Sequence, residues 1–220
     1  MLSANVIVNL QDQLTNAWHQ APGDAVSHRA SQIDVKDEPN STTDPLKDWL
    51  ARVSSQHRAN FDLWHIEDEA RAPGASDTVL AEVKRRIDRT NQLRNDLAEN
   101  LDRFLLEWLA SRGLPAAHTP LHSESPGLMI DRLSILALKI FHTCEEADRT
   151  TAPAGHTERC RDRLAILQDQ RADLAACLDT LWRETLAGAR RFKIYRQLKM
   201  YNDPSLNPAI YRKATNESDS

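Results

Sequence analysis

Residues 77–112, DTVLAEVKRRIDRTNQLRNDLAENLDRFLLEWLASR, decide how this chain folds. Val79, Val83, Ile87, Thr90, Arg94, Leu97, Leu101, Leu105 and Trp108 follow one another at steps of three or four, the repeat of one helix face. Ser76 or Asp77 supplies an N-cap and Gly113 a C-terminal stop, so the spacing predicts one long helix over 77–112. The middle of its stripe is polar, with Thr90 and Arg94 where a bundle wants Leu or Ile. Asp88, Asn91, Gln92, Asn95, Asp96, Glu99 and Asp102 crowd the same turns. Asn and Asp lower helix propensity, and a buried Arg is costly unless paired. Tertiary contacts or a ligand are expected to offset both costs.

The flanking segments also read as helices. Asp44-Pro45 is an N-cap followed by a proline suited to the first helical position, and the helix it opens stops before Pro73-Gly74. Leu46, Trp49, Leu50, Val53, Phe61, Trp64 and His65 lie on or near its stripe. Ser123-Glu124-Ser125-Pro126 precedes a helix predicted over 128–149. Pro153 and Gly155 break the chain before a last long helix over 157–199, with an interruption near Gly188. Val6, Leu10, Leu14 and Trp18, four apart, give a short amphipathic helix over 2–20. Residues 21–45, rich in Pro, Ser, Thr and Asp, read as a flexible linker, 46–203 as the helical-bundle domain and 204–220 as an irregular tail. No segment sustains the apolar–polar alternation of a strand. The expected fold is all-α, a single bundle of four to five helices.

Composition narrows the function. The 220 residues are 40% hydrophobic and 27% charged, an ordinary globular balance with material for one sizeable core. Six glycines are too few for glycine-rich phosphate loops or turn-dense barrels. A net charge of −4 argues against a nucleic-acid partner. The basic and aromatic run Arg190, Arg191, Phe192, Lys193, Tyr195 and Arg196 therefore reads as a solvated helix face. No stretch approaches the roughly 18 apolar residues of a membrane span, and MLSANVIVNLQDQLTNAW lacks the features of a signal peptide. Cys144, Cys160 and Cys177 form no CxxC pair and read as reduced thiols, the first and last in the core and Cys160 exposed. A cytoplasmic protein is expected. GxSxG, P-loop and dinucleotide motifs are absent from the sequence, so it names no cofactor.

Two further helices bring polar groups to surface that should be interior. In WHIEDEAR, residues 64–71, His65 and Asp68 share one face, and Glu67 and Arg71 form an acid-first i,i+4 pair on another. Arg132, Ile135, Lys139 and His142 make one stripe of the helix at 128–149. Polar residues on three helices predict a polar pocket between them, which is how bundles build sites.

Four motifs carry a family resemblance: HIEDEAR at 65–71, KRRIDRTNQLRNDLAENLD at 84–102, LHSESPGLMIDRLSILALKIFH at 121–142 and YRQLKMYND at 195–203. Together, in this order over about residues 45–203, they resemble the bacterial domain-of-unknown-function family numbered 4254. The resemblance implies a context near glycan or lipopolysaccharide glycosyl transfer rather than a reaction. It adds weight to the motif residues and brings Lys199, Tyr201 and Asn202 forward as closing one end of the pocket.

Three chemistries fit. In the first, the pocket takes a polar, anionic small molecule. Arg71, Arg94, Arg132, Lys139 and Lys199 supply charge, while Asn91, Asn95 and Asn202 hydrogen-bond hydroxyls. Ser125 stands at a helix N-terminus, which attracts anions. His65, oriented by Asp68, serves as general base or acid, with Asp96 and Asp131 as further catalytic carboxylates. In the second, His65, Asp68 and His142 hold a metal, although the Glu-x-x-His pairs of di-iron bundles are absent from the sequence. In the third, the polar core fixes helix register in a non-enzymatic adaptor for a biosynthetic enzyme partner. A homo-oligomer is compatible with all three. The expectation carried forward is an enzyme acting on an anionic small molecule in glycan or natural-product biosynthesis.

Overall fold

The computed structural model describes residues 3–21, 44–198, 203 and 205–208. Five helices follow in order: α1 (Ala4–Gln20), α2 (Pro45–Glu69), α3 (Asp77–Ala110), α4 (Pro126–Asp148) and α5 (His156–Leu186). Among the described residues the sole β pairing is an isolated parallel bridge between Leu121 and Arg191. The fold is an all-α bundle.

Local chemistry sets the helix starts. The Asp44 carboxylate accepts the Leu46 N–H at 3.0 Å, with Pro45 at the first helical position of α2. Ser76 and Ser125 cap α3 and α4 in the same way, through the N–H groups of Val79 and Leu128. The last helix ends at Leu186, short of the predicted 199, because Gly188 turns the chain at φ 67° and cannot continue a helix. Residues 192–198 have no regular secondary structure, and Phe192 is plugged into the core. Arg191 exchanges backbone hydrogen bonds with Pro120 and His122, pinning the α3–α4 connection to this segment. The basic run from Arg190 to Arg196 thus lies beyond the helix.

Leu101, Leu105 and Leu109 of α3 meet Met129, Ile130 and Leu133 of α4 in the core, joined by Trp49 and Val53 of α2 and Leu178, Leu181 and Trp182 of α5. α4 packs most extensively on α5, and α2 on α3, while α1 lies across α2, α4 and α5. The face α1 buries is not the one its larger side chains suggest. Ala4, Ile7, Gln11 and Thr15 are buried, whereas Val6 is 48% exposed. The Ala4 N–H donates to Asp179 and Arg171 grips Asp12 with two bonds of 2.7 and 2.9 Å, so α5 sets the rotation of α1.

A second face is also displaced. On α4 the interior residues are Ile130, Asp131, Leu133, Ser134, Ala137 and Leu138, and Arg132 and Lys139 are exposed. Gly127 explains why α4 sits so close to α3. A Cβ there would collide with the Ala98 carbonyl oxygen and lie 2.9 Å from the Asp102 carboxyl carbon. Cys177 is exposed and Cys144 and Cys160 are half-buried, so neither Cys144 nor Cys177 is a core residue.

Candidate functional site

The interior of the bundle is polar where α1, α2 and α4 meet. The stripe of α2 passes from Val53 to Phe61 through Gln56, His57 and Asn60, all buried. Facing them are Gln11 and Thr15 of α1 and Asp131 and Ser134 of α4. The bonds order themselves in one way. Thr15 donates its hydroxyl hydrogen to the Gln11 carbonyl at 2.9 Å, so its oxygen accepts from His57 Nε2–H at 2.9 Å. His57 Nδ1 is then an acceptor, taking the Ser134 hydroxyl at 2.7 Å. The amide of Asn60 donates to Ser134 and to Asp131, each at 2.9 Å, and Gln56 donates to Asp131 at 2.6 Å. His57 is neutral in this chain, and burial pushes its imidazole down to about 4.

Asp131 is the hinge between this network and an open cleft. Burial raises its carboxyl above the ordinary range, opposed by Arg94 and by the amides of Asn60 and Gln56. Arg94 Nε lies 3.5 Å from Asp131 Oδ1 and, although buried, makes no hydrogen bond. Beyond it is a cavity of about 310 Å³ between α2, α3 and α4. Asn60, Glu67, Asp68, Arg71 and Arg94 give it polar groups, and Leu63, Trp64, Ile135 and Leu138 an apolar wall. Glu67 and Arg71 pair at 3.0 Å on its rim.

A second buried carboxyl, Asp102, works at the start of α4. It accepts the Ser125 hydroxyl and, at 2.7 Å, the Gly127 N–H. Burial pushes it up to about 7 despite those two bonds, with Glu99 adding to the rise. Ser125 is therefore occupied as a cap and as a donor to Asp102, fully buried, with no face towards the cleft.

The family described as Protein of unknown function (DUF4254) matches residues 50–194. The chain belongs to this family. No curated protein and no solved structure matches it significantly. The DUF4254 match contains every residue of the cleft and leaves α1 outside.

Within that DUF4254 segment the structure sorts the sequence-derived candidates. Asp68, Arg71 and Arg94 meet in the cleft, with Asp131 directly behind Arg94. His65 does not turn to Asp68. Its Nδ1 bonds the Phe61 carbonyl at 2.8 Å, and its ring packs against His19 and His142. Asp96 is exposed and accepts from Gln92 at 2.8 Å. Asn95 is buried and Asn91 half-buried on α3. Arg132 points outward and takes both Glu124 oxygens, at 2.7 and 3.0 Å, which its place one residue past buried Asp131 dictates. Lys139 and His142 line a different, wider hollow of about 920 Å³ between α4 and α5. Lys199 and Asn202, and most of the 21–45 linker and the 204–220 tail, lie outside the described residues. Gln56, His57, Asn60 and Ser134 escaped the sequence reading. The signal was there, in the polar gap between Val53 and Phe61 on the stripe of α2.

Proposed function

We propose that the protein is an enzyme that takes a polar, anionic small molecule in the cleft between α2, α3 and α4. Arg94 carries this reading. It lines the cleft, its back is fixed by Asp131, and its buried Nε has no hydrogen-bond partner. Asp131 is in turn clamped by Gln56 and Asn60, so the guanidinium is held in place before any ligand arrives. Arginine suits carboxylate and phosphate through paired donors, and Arg71 adds a second cation at the rim. A volume of about 310 Å³ with an apolar wall and a few convergent polar groups fits a metabolite. Glu67 and Asp68 are the carboxylates placed to hydrogen-bond its hydroxyls or move a proton. A glycan or natural-product setting is the part of the proposal that rests on the family resemblance.

The test is a thermal-shift panel of sugar phosphates, nucleotide sugars and dicarboxylates. At least one should raise Tm with concentration, and Arg94→Gln should abolish that rise while still melting as a folded protein without ligand. A panel without effect, or a shift that survives Arg94→Gln together with Arg71→Gln, would sink the binding site. Mass spectrometry of the binding compound after incubation decides whether it is turned over.

A further inference from the structure

Three histidines from three helices converge at the end of α1: His19 of α1, His65 of α2 and His142 of α4. One ring nitrogen of each lies within 4.8 Å of the others. The Nδ1 nitrogens are all engaged. His19 Nδ1 bonds the Thr15 carbonyl, His65 Nδ1 the Phe61 carbonyl and His142 Nδ1 the Glu145 carboxylate, each at 2.8 Å. Carbonyl and carboxylate oxygens only accept, so every Nδ1 carries a hydrogen, and in the neutral form of each ring the lone pair stands on Nε2. Nε2 of His19 and of His142 is buried without a partner. The rings are held by stacking, His19 on Phe141 with centroids 4.1 Å apart and His142 on Trp64 at 4.8 Å.

We propose that His19, His65 and His142 form a three-histidine site for a divalent transition metal of the zinc class. Imidazole lone pairs that face one another around a half-buried spot repel, and a cation among them removes the repulsion. Neutral imidazole nitrogens whose far N–H is tied to a carbonyl or carboxylate are the form in which histidine binds zinc. Zn–N bonds of about 2.1 Å hold three nitrogens roughly 3.5 Å apart, so binding draws the rings together by about an ångström, within the play of their side-chain torsions. Imidazole donors with no thiolate favour zinc, copper or nickel over magnesium or calcium. The site clamps α1, which lies outside the DUF4254 match, onto α2 and α4 inside it. It is separate from the Arg94 cleft, whose lining includes none of the three histidines.

Tag-free protein stripped with a chelator and titrated with Co²⁺ tests it. One equivalent should give the intense visible bands of low-coordinate cobalt, and Zn²⁺ should displace them and raise Tm. His19→Ala, His65→Ala and His142→Ala should each lose the bands, and His156→Ala should keep them. Glu145 is exposed, so Glu145→Gln leaves the fold intact and should weaken binding about 10- to 100-fold through His142 alone. The proposal is overturned if folded parent protein binds no cobalt, or if the bands persist in His19→Ala.

Discussion

Burial moves two titrations in opposite directions. His57 sits near 4 in the fold against 6.5 when free, so between those values the unfolded chain binds the extra proton and stability rises with pH. Asp102 sits near 7 against 3.8, so over almost the same interval the folded chain holds the extra proton and stability falls with pH. Each slope is on the order of 1 kcal/mol per pH unit, and between about pH 4 and 6.5 the two offset each other. Single variants should unmask them. Relative to the parent, His57→Gln should lose stability as pH rises through this window, and Asp102→Asn should gain it. Chemical denaturation at several pH values reads both. Parallel curves for the parent and either variant would show that the altered group does not titrate there. Gly127 gives a purely steric prediction. Its missing Cβ makes room for the Ala98 carbonyl and the Asp102 carboxyl, so Gly127→Ala should cost about 1–3 kcal/mol or more, read as a fall in Tm.

Among the helices, α2, α3 and α4 depend on one another through Asp131. Asp131→Ala strands the amide of Gln56 and one N–H of Asn60 and leaves Arg94 without its carboxylate, a loss of about 3 kcal/mol. Arg94→Ala should cost less, about 1–2 kcal/mol, because the two amides still serve Asp131 and the arginine is partly exposed. Equal losses in the two variants would mean that Arg94 is a structural half of a buried pair. This asymmetry follows from the same feature that made α3 readable, a helical stripe with polar residues in its middle. The rhythm of three and four found the helices, and Asp44, Ser76 and Gly113 marked boundaries that the structure places within a few residues. What period alone could not supply was rotation. Val6 and Arg132 each lie one residue from the buried position, Ile7 and Asp131, and only the contacts of α5 and Gln56 decide between neighbours. His19 escaped for a different reason, since its partners are 46 and 123 positions away in sequence and no spacing links them.

Over the whole molecule, closure depends on the segment after α5. Phe192 enters the core while Arg191 holds the α3–α4 connection through backbone bonds of 2.8 and 3.0 Å. Phe192→Ala should cost about 3–5 kcal/mol. It should also raise amide exchange in residues 114–125 and 188–198 together, whereas exchange confined to one of the two would show that they open independently. The two proposed sites share Trp64, which walls the Arg94 cleft and stacks on His142. Occupation of one is therefore expected to register in tryptophan fluorescence at the other.

The position of α1, docked on three helices yet outside the matched segment, has a consequence for how the molecule can be taken apart. Its docking is an association that happens to be intramolecular, and association constants can be measured. A chain beginning at residue 44 presents the groove vacated by Ile7, Gln11 and Thr15, and a synthetic helix of residues 3–21 is its natural occupant. Titration of one with the other should saturate at one to one. Thr15→Val in the peptide should weaken it about 5- to 30-fold, the effect of 1–2 kcal/mol for the loss of a buried hydrogen bond to His57. Read this way, the first helix is a ligand the chain carries for itself, and its affinity is a quantity on which a metal ion at His19 would act directly.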